Sequence, residues 1–541
     1  MDKPADKLKV GLILDNSSKK SVWVSRLIKD IDESSFAAVE ITLISDAPER
    51  ADTWKHKLYT AFCEMERYRW SCTEQDRLWL DKNDLLEEKI EGYTLNLSNP
   101  SQECISAINN ANLDVLLNLT QVNISDQIFS DIKANIWSLH FKNGKVNKKT
   151  SPVGFWEIYD NSPTMKCLLT ESTGKLLYQS VHPLDENFSA RLTQKTSYRV
   201  GYTTILRKLE QLYNSDVDHF LSKHIEFTEK HLQESNDFRS GKPGNLRMII
   251  FFAKKIFNSL KMRVINALYV QEWSLRYELA EGLSMEFDQF EKLEPTLGGL
   301  WADPFIIHRD NSYFLFFEDA ITDQENADIS VVRIEENGSM GEIKPCLIKP
   351  YHLSYPYVFF WEGEYYMVPE TGGNRTIEIY KASHFPDQWE FHSNLMEDIR
   401  AADTTLLFHK EKWWMFTNCS HFRGVNVDSE LSIYYADSPL SQDWTLHPQS
   451  PVVSDVRRAR SAGRIYEHDG KLIRPAQDSS VRYGYGFRLN EIITLTETEY
   501  EEREIDFIEP DWDSSLLGTH TIAHEKNLTV IDVLSRRSKY F

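Results

Sequence analysis

Between residues 302 and 532 the chain repeats one local pattern, and that repeat limits its fold more than any other feature. Each unit opens with a strand-like run that begins on a small, polar or acidic residue, passes a polar turn and continues into a second strand, aromatic-rich in the early units. Ala302-Asp303-Pro304-Phe305 precedes Tyr313–Glu318, Ser354-Tyr355-Pro356-Tyr357 precedes Tyr365–Glu370, and Ala402-Asp403-Thr404-Thr405 precedes Trp413–Thr417. Ala462-Gly463-Arg464 precedes Lys471–Asp478, and His520-Thr521-Ile522-Ala523 precedes Leu528–Asp532. Units spaced roughly 40 to 55 residues apart, each too small to bury its own apolar face, fit four-stranded propeller blades. The expectation is a five-bladed β-propeller over residues 283–541.

In a propeller the first strand of every blade lines the axis, so equivalent strand starts converge on one funnel. Asp303, Tyr355, Asp403, Arg464 and His520 are expected there, with Glu318, Glu370 and Asp478 at the ends of the second strands. Gathered carboxylates suit glycosyl chemistry, which needs one acid, one base or nucleophile, and neighbours that set their pKa values. Taken singly, each Asp or Glu reads first as a turn or strand-start residue; recurrence at one blade position brings the site reading level with that one. The cluster Arg457, Arg458, Arg460 and Arg464 reads either as a solvated turn or as a clamp for a phosphate or acidic sugar, because guanidinium pairs bidentately with such groups.

Several motifs carry a resemblance. His352–Phe359, Tyr366–Thr371, Tyr380–Pro386, Asp403-Thr404-Thr405, Tyr435–Leu440, Arg460–Arg464 and Arg474–Asp478 follow Ala302–Phe305 in order across residues 300 to 535. This series resembles the N-terminal domain of plant glucosamine inositolphosphorylceramide transferases, a domain that itself looks like the propellers of glycoside hydrolase families 43 and 32. The resemblance implies that Asp303 is the first-blade catalytic carboxylate and Asp403 a second, orienting one. Glu370 is the candidate acid by residue type. Glu318, Tyr355, Tyr357, Arg460, Arg464, Gln477, Asp478 and His520 are the expected substrate-binding residues, and no metal ligand set is assigned.

Residues 1 to 212 alternate buried-strand runs (Lys9–Leu14, Val39–Ile44, Asp114–Leu119, Ala134–His140) with helical spacing such as Val22–Ile31. Strand alternating with helix predicts an open α/β sheet. No G-x-G-x-x-G or P-loop motif supports a nucleotide-phosphate cradle there. Val10–Leu14, Asp114–Leu117 and Ile136–His140 with Pro152–Ile158 resemble the formyltransferase fold of methionyl-tRNA and sugar formyltransferases. His140 remains, but Ser138 stands where that family uses an Asn, and Thr170–Gly174 lacks its aspartate. Losing the oxyanion donor costs on the order of 10²-fold in rate, so formyl-folate is not an expected cofactor, and Ser138 and His140 mark only a candidate ligand crevice.

Residues 213 to 282 are expected to form a helical connector. His219–Gln233 reads as a polar amphipathic helix, and 247–265 combines a large apolar side with five basic residues. That second stretch is either a helix buried between domains or a peripheral contact with an anionic membrane.

The 541 residues carry 61 basic and 82 acidic side chains, a net charge of −21, which opposes nucleic-acid binding. The six scattered cysteines form no C-x-x-C pair and read as reduced core thiols. With no apolar leader and no apolar run of about 18 residues, the expected location is cytoplasmic, with peripheral attachment to the inner face of a membrane left open. The functional expectation is a carbohydrate-active transferase in surface polysaccharide or glycolipid assembly, with a nucleotide sugar or sugar phosphate as donor. Alternatives are a sugar N-formyltransferase that uses the N-terminal region and a non-enzymatic glycan-binding or scaffolding protein.

Overall fold

The computed structural model describes residues 6–15, 21–45, 54–69, 93–95, 100–120, 131–141, 152–172, 175–184, 189–215, 220–221, 225–226, 241–295, 298–321, 326–419 and 427–540. The chain divides into two units, Met1–Asn258 and Ser259–Phe541.

The first unit holds an eight-stranded sheet. In sheet order its strands are Tyr93–Leu95, Ala37–Ser45, Leu8–Leu14, Val115–Asn118, Asn135–Phe141, Thr164–Glu171, Lys175–Pro183 and Ile225–Glu226. The first five run parallel and the remaining pairings are antiparallel. Val115–Asn118 is buried along its whole length, which explains why this strand reads as continuous apolar sequence rather than as alternation. Helix Gln102–Asn110 starts on Ser101, whose side chain accepts a hydrogen bond from the Cys104 amide at 3.2 Å, satisfying one of the amides that a helix start leaves free. The α/β sheet expected for this region is present. Within the polar helix expected over 219–233, Ile225–Glu226 instead pair with Lys175–Leu176 as a strand; most of the rest of that stretch lies outside the described residues.

The second unit is the five-bladed propeller. Blade I comprises Gly299–Arg309, Ser312–Ile321, Asp328–Glu335 and Lys344–Leu347; blade II comprises Ser354–Trp361, Glu364–Glu370, Thr376–His384 and Gln388–Glu397. Blade III follows with Ala401–His409, Lys412–Cys419, Ser432–Ala436 and Thr445–Leu446, and blade IV with Tyr466–His468, Lys471–Asp478, Gly486–Leu495 and Tyr500–Ile508. Blade V is built from both ends of the unit. Ile522–Glu525 and Leu516–Gly518 pair with Leu528–Ser538, which pairs along its full length with Tyr269–Leu279, and Glu291–Leu293 completes the sheet. Hydrogen bonding of the last long strand to the first closes the ring and leaves no open interblade edge. The first propeller strand, Tyr269–Leu279, therefore lies within the stretch expected to be connector.

Burial falls from the axis outward. Ser354–Trp361 is buried over its first seven positions but one, whereas the outer strand Gln388–Glu397 of the same blade is mostly exposed. The aromatic residues of the inner strands pack blade against blade, as in the edge-on contact of Phe305 with Tyr355 at 4.8 Å.

Three inner strands break register at the same point, between Ala302 and Phe305, between Ser354 and Tyr357, and between Ala402 and Thr405. The residue in each bulge, Asp303, Tyr355 or Asp403, takes a left-handed backbone with φ of 51°, 47° and 49°. Such a conformation costs a non-glycine residue about 1 kcal/mol or more, and a bulge of this kind re-aims a side chain. Blade IV has Gly463 at the matching place, with φ of 127°, and a Cβ there would sit 2.1 Å from the Ile522 carbonyl oxygen.

Gly463→Ala is expected to destabilise the propeller by about 3 kcal/mol or more, read as a lower midpoint in denaturant unfolding. Gly373→Ala, where nothing lies within 4 Å of an added Cβ, should change stability by less than about 0.5 kcal/mol.

Candidate functional site

The bulges turn Asp303 and Asp403 toward the axis. Asp303 is buried. Its Oδ1 accepts a hydrogen bond from Thr521 Oγ1 at 2.8 Å, its Oδ2 accepts one from the Tyr355 amide at 3.2 Å, and its own amide donates to Asp532 Oδ2 at 3.1 Å. Asp532 Oδ1 accepts from the amides of His520 and Thr521 at 2.8 and 3.0 Å. The His520 ring spans the two aspartates, with Nδ1 2.6 Å from Asp532 Oδ2 and Nε2 3.6 Å from Asp303 Oδ1. The close Nδ1 contact is an ion pair with the carboxylate off the axis of the ring N–H. Trp273 covers the ring at 4.3 Å, and Tyr483 meets it edge-on at 5.5 Å.

Asp403 Oδ2 accepts from Arg460 Nε at 2.5 Å and from Gln477 Nε2 at 2.9 Å. Arg460 continues to Asp428 through Nη1 at 2.6 Å and to Glu370 through Nη2 at 3.4 Å. Every guanidinium nitrogen thus has a carboxylate partner. The side chains of Asp428, Glu370 and Glu318 keep partial exposure, at 21%, 19% and 13%, whereas Asp303, Asp403 and Asp532 are buried. His352 Nδ1 accepts from the Ala327 amide, which leaves the ring proton on Nε2, 3.5 Å from Glu318 Oε1.

Crowding of like charges in a dry site shapes the titration. Burial, aided by Asp403 and Asp532, pushes Asp303 up to about 6, against the pull of His520 and Thr521. Burial pushes Glu370 up to about 8, opposed by Arg460 and reinforced by Asp403 and Asp303. Glu318 is held well above the usual carboxylate range by burial and then by Asp303, Glu370, Asp532 and Asp403. Burial disfavours a charged His520, but Asp532, Asp303 and Asp403 outweigh it and raise its pKa. At neutral pH, Glu370 carries a proton while Asp303 is ionised.

The carboxyl groups are Asp303, Glu318, Glu370, Asp403, Asp428 and Asp532; the cations are Arg460 and His520. Six carboxyl groups therefore surround two basic side chains. A funnel of this sign favours hydroxyl donors and ammonium groups and opposes phosphate. Asp303, His520 and Asp532 offer donor atoms within 4.8 Å of one another, the one such trio among the described residues. Hydrogen bonds already engage both oxygens of each aspartate, so we read the trio as an ion network.

The structure brings together Asp303, Glu318, Glu370, Asp403, Arg460, Gln477 and His520. It places the other expected residues elsewhere. Tyr355 is wholly buried, and its hydroxyl contacts Thr405 Oγ1 at 2.8 Å and accepts from the Gly463 amide at 2.9 Å. Blades II and IV are not neighbours in the ring, so this bond crosses the axis, and Tyr355 forms a floor to the funnel. Arg464 makes a second cross-axis tie, donating to the Val358 carbonyl at 2.5 Å with its guanidinium 4.9 Å over the Tyr357 ring; the Tyr357 hydroxyl donates to the Leu406 carbonyl. Asp478, one residue from Gln477, faces the opposite side of its strand and accepts from Arg488 at 2.7 Å. Arg457 pairs with Asp455, and Arg458 with Glu502. The arginine cluster therefore does not assemble into an anion clamp.

Sequence reasoning missed Asp532, Thr521, Asp428, Trp273 and Tyr483. Asp532 closes the second run of its sequence unit, as Glu318 and Glu370 do in theirs, so the repeat itself carried that signal, although the strands continue to Ser538 and Ile321. In the α/β unit, Ser138 Oγ accepts from Asn118 Nδ2 at 3.3 Å, and His140 Nε2 lies 3.5 Å from Thr170 Oγ1.

The second unit is thus a five-bladed propeller whose funnel is lined by carboxylates. Residues 296–516 match the family model described as "Glucosamine inositolphosphorylceramide transferase 1, N-terminal", so the resemblance read from the blade motifs is a sequence relationship. The glucosamine inositolphosphorylceramide transferase 1 of Oryza sativa subsp. japonica is 36% identical over 215 residues, covering 38% of this chain and 29% of that protein. The protein of that name from Arabidopsis thaliana is 31% identical over 209 residues, covering 38% and 27%. The chain spans less than a third of the length of these curated relatives. Among solved structures, the family 117 glycoside hydrolase Zg3597 of Zobellia galactanivorans aligns with a TM-score of 0.33 and 11% identity, over 49% of this chain and 91% of that one. The GH62 α-L-arabinofuranosidase catalytic domain of Coprinopsis cinerea aligns with a TM-score of 0.32 and 13% identity, over 49% and 98%.

Because Glu370 in the folded state holds a proton that the unfolded chain releases at a lower pH, the native state binds more protons between about 4.5 and 8. Stability contributed by that proton is present at low pH and is lost as pH rises toward 8. Glu370→Gln, which keeps a neutral donor beside Asp403, should flatten this slope and raise the unfolding temperature at pH 8 more than at pH 5. Parallel slopes for variant and parent in thermal melts across that range would show that Glu370 is ionised throughout.

Proposed function

We propose that the funnel binds a sugar ring and that the protein is a carbohydrate-active transferase acting in glycolipid or surface-polysaccharide assembly. The observation that carries this reading is the split titration of two carboxyls in one buried cluster, Glu370 up to about 8 and Asp303 up to about 6. Acid and base assignments in glycosyl chemistry follow from such pairs. In this reading Glu370 gives its proton to the departing oxygen as the anomeric carbon–oxygen bond breaks, and Asp303, the ionised partner, takes the proton of the acceptor hydroxyl as the new bond forms. Asp403 and Arg460 position Glu370, and His520 with Asp532 fixes Asp303.

The charge excess favours a neutral or amino sugar in the funnel, and a phosphate or diphosphate on the same substrate would remain outside. The names of the plant relatives join glucosamine to an inositolphosphoryl lipid, which supports a glycolipid context. The match covers their N-terminal domain, so the transferase activity assigned here is a proposal for this chain. For the α/β unit, we read the parallel strands Leu8–Leu14, Val115–Asn118 and Asn135–Phe141 as the centre of a formyltransferase-like fold. The motifs behind that reading lie in or beside these strands, and Ser138 supplies a hydroxyl where the family's amide would stand.

Thermal-shift measurements on the full chain with a hexose, a hexosamine and a hexose 1-phosphate provide the test, since a ligand bound only by the folded state raises stability as RT ln(1 + [L]/Kd). The hexosamine or hexose should raise the unfolding temperature more than the phosphate does, and Asp303→Asn should abolish the shift. No shift with any sugar, or an equal shift in the variant, would contradict the reading. Where a transfer reaction is found, its rate should plateau between about pH 6 and pH 8, and Glu370→Gln should lower kcat by about 10² or more.

A further inference from the structure

Helix Asn245–Leu268 runs unbroken for 24 residues and is apolar on two sides. One side is buried: Met248 and Phe251 enter the core of the first unit, where Phe251 meets Phe62 edge-on at 5.4 Å and stacks on Tyr159 at 6.1 Å. The other side carries Leu246, Ile250, Phe257, Leu260, Val264 and Leu268, all exposed. Their three- and four-residue spacing, continued through Ala253, makes one stripe along the helix. Phe257 is 67% exposed and Val264 59%, in a chain whose propeller strands bury most residues of their type. A stripe of this length is unfavourable in water unless something covers it.

Charge identifies the cover. The helix holds Arg247, Lys254, Lys255, Lys261 and Arg263 and no acidic residue, in a chain of net charge −21. At 100° per residue, Arg247, Lys254 and Lys261 fall along one flank of the stripe and Arg263 along the other. Long basic side chains beside an apolar stripe can reach outward to an anionic layer while their stems lie against hydrocarbon. A second copy of the helix is a poorer partner, because packed helices need opposite charges flanking the seam and this one would oppose only like charges. No helix among the described residues is long and apolar enough to cross a membrane, so the stripe is suited to lying in an interface.

We propose that helix Asn245–Leu268 docks the protein on an anionic lipid surface, with Phe257, Leu260 and Val264 in the acyl boundary and Lys254, Lys261 and Arg263 at the headgroups. This inference is independent of what the funnel binds.

Co-sedimentation of the full chain with phosphatidylcholine vesicles, with and without phosphatidylserine, tests it. Binding should require phosphatidylserine and weaken as salt rises. At about 1 kcal/mol per basic residue near an anionic surface, losing Lys254, Lys261 and Arg263 removes about a hundredfold in binding, and reversing them to Glu should weaken it by more than that. Phe257→Glu with Leu260→Glu should abolish it. All five positions are exposed; Phe257→Glu with Leu260→Glu should unfold like the parent, and the charge-reversed variant slightly below it, because Lys254 also lies 5.1 Å over the Tyr159 ring. Failure to sediment with phosphatidylserine vesicles at low salt, or equal sedimentation of parent and both variants, would overturn the proposal. So would a dimer in analytical ultracentrifugation that Phe257→Glu with Leu260→Glu converts to monomer, because the occupant would then be a second copy.

Discussion

The guanidinium group of Arg460 holds the funnel together. Without it Asp403, Glu370 and Asp428 would lie close together in a site with little water, where like charges cannot all remain ionised. Its Nε at 2.5 Å and Nη1 at 2.6 Å fix Asp403 and Asp428, and Nη2 at 3.4 Å reaches Glu370 across the axis. Because Glu370 has the most distant of the three partners, Arg460 only partly offsets the burial that raises its pKa. The result is a Glu370 carboxyl whose pKa burial pushes up to about 8 beside a fixed guanidinium. Truncating one member of such a buried network costs about 3 to 5 kcal/mol, so this arrangement links stability to chemistry.

A second group of contacts makes the funnel one-sided. Tyr355 reaches across the axis to Gly463, and Arg464 reaches across to Val358. These ties join blades that are not neighbours and close the channel beneath the carboxylates. The left-handed bulges at Asp303, Tyr355 and Asp403 make both levels possible, since the same backbone turn points two carboxylates into the funnel and one phenol across its floor.

Much of this was legible in the sequence because the propeller is a repeat, and recurrence at a blade position is visible without any knowledge of contacts. Asp303, Asp403, His520, Glu318 and Glu370 were placed in that way. Asp478 was misplaced because strand neighbours face opposite sides, and sequence alone did not show whether Gln477 or Asp478 faced inward. The arginine cluster was harder still. The partner of Arg458, Glu502, lies on the outermost strand of blade IV, and that of Arg464 is a backbone carbonyl in blade II. Neither pairing leaves a local trace. Trp273 was unreadable for a related reason, because it belongs to a strand that reaches the site only through pairing of the two ends of the unit. In the connector, helical periodicity located the basic helix within two or three residues of its ends, but periodicity does not reveal that an apolar stripe remains exposed.

The proposed site holds a sugar in the funnel against the side chains of Glu318 and Glu370. A crystal structure of the full chain soaked with a hexosamine tests this most directly. The sugar is expected above Tyr355, with hydroxyl or ammonium groups within hydrogen-bond distance of Glu370, Glu318 or Asp303 and with the Arg460 contacts to Asp403 and Asp428 intact. A sugar bound elsewhere on the propeller with the funnel filled only by water, or one that binds by displacing Arg460 from its carboxylates, would contradict it.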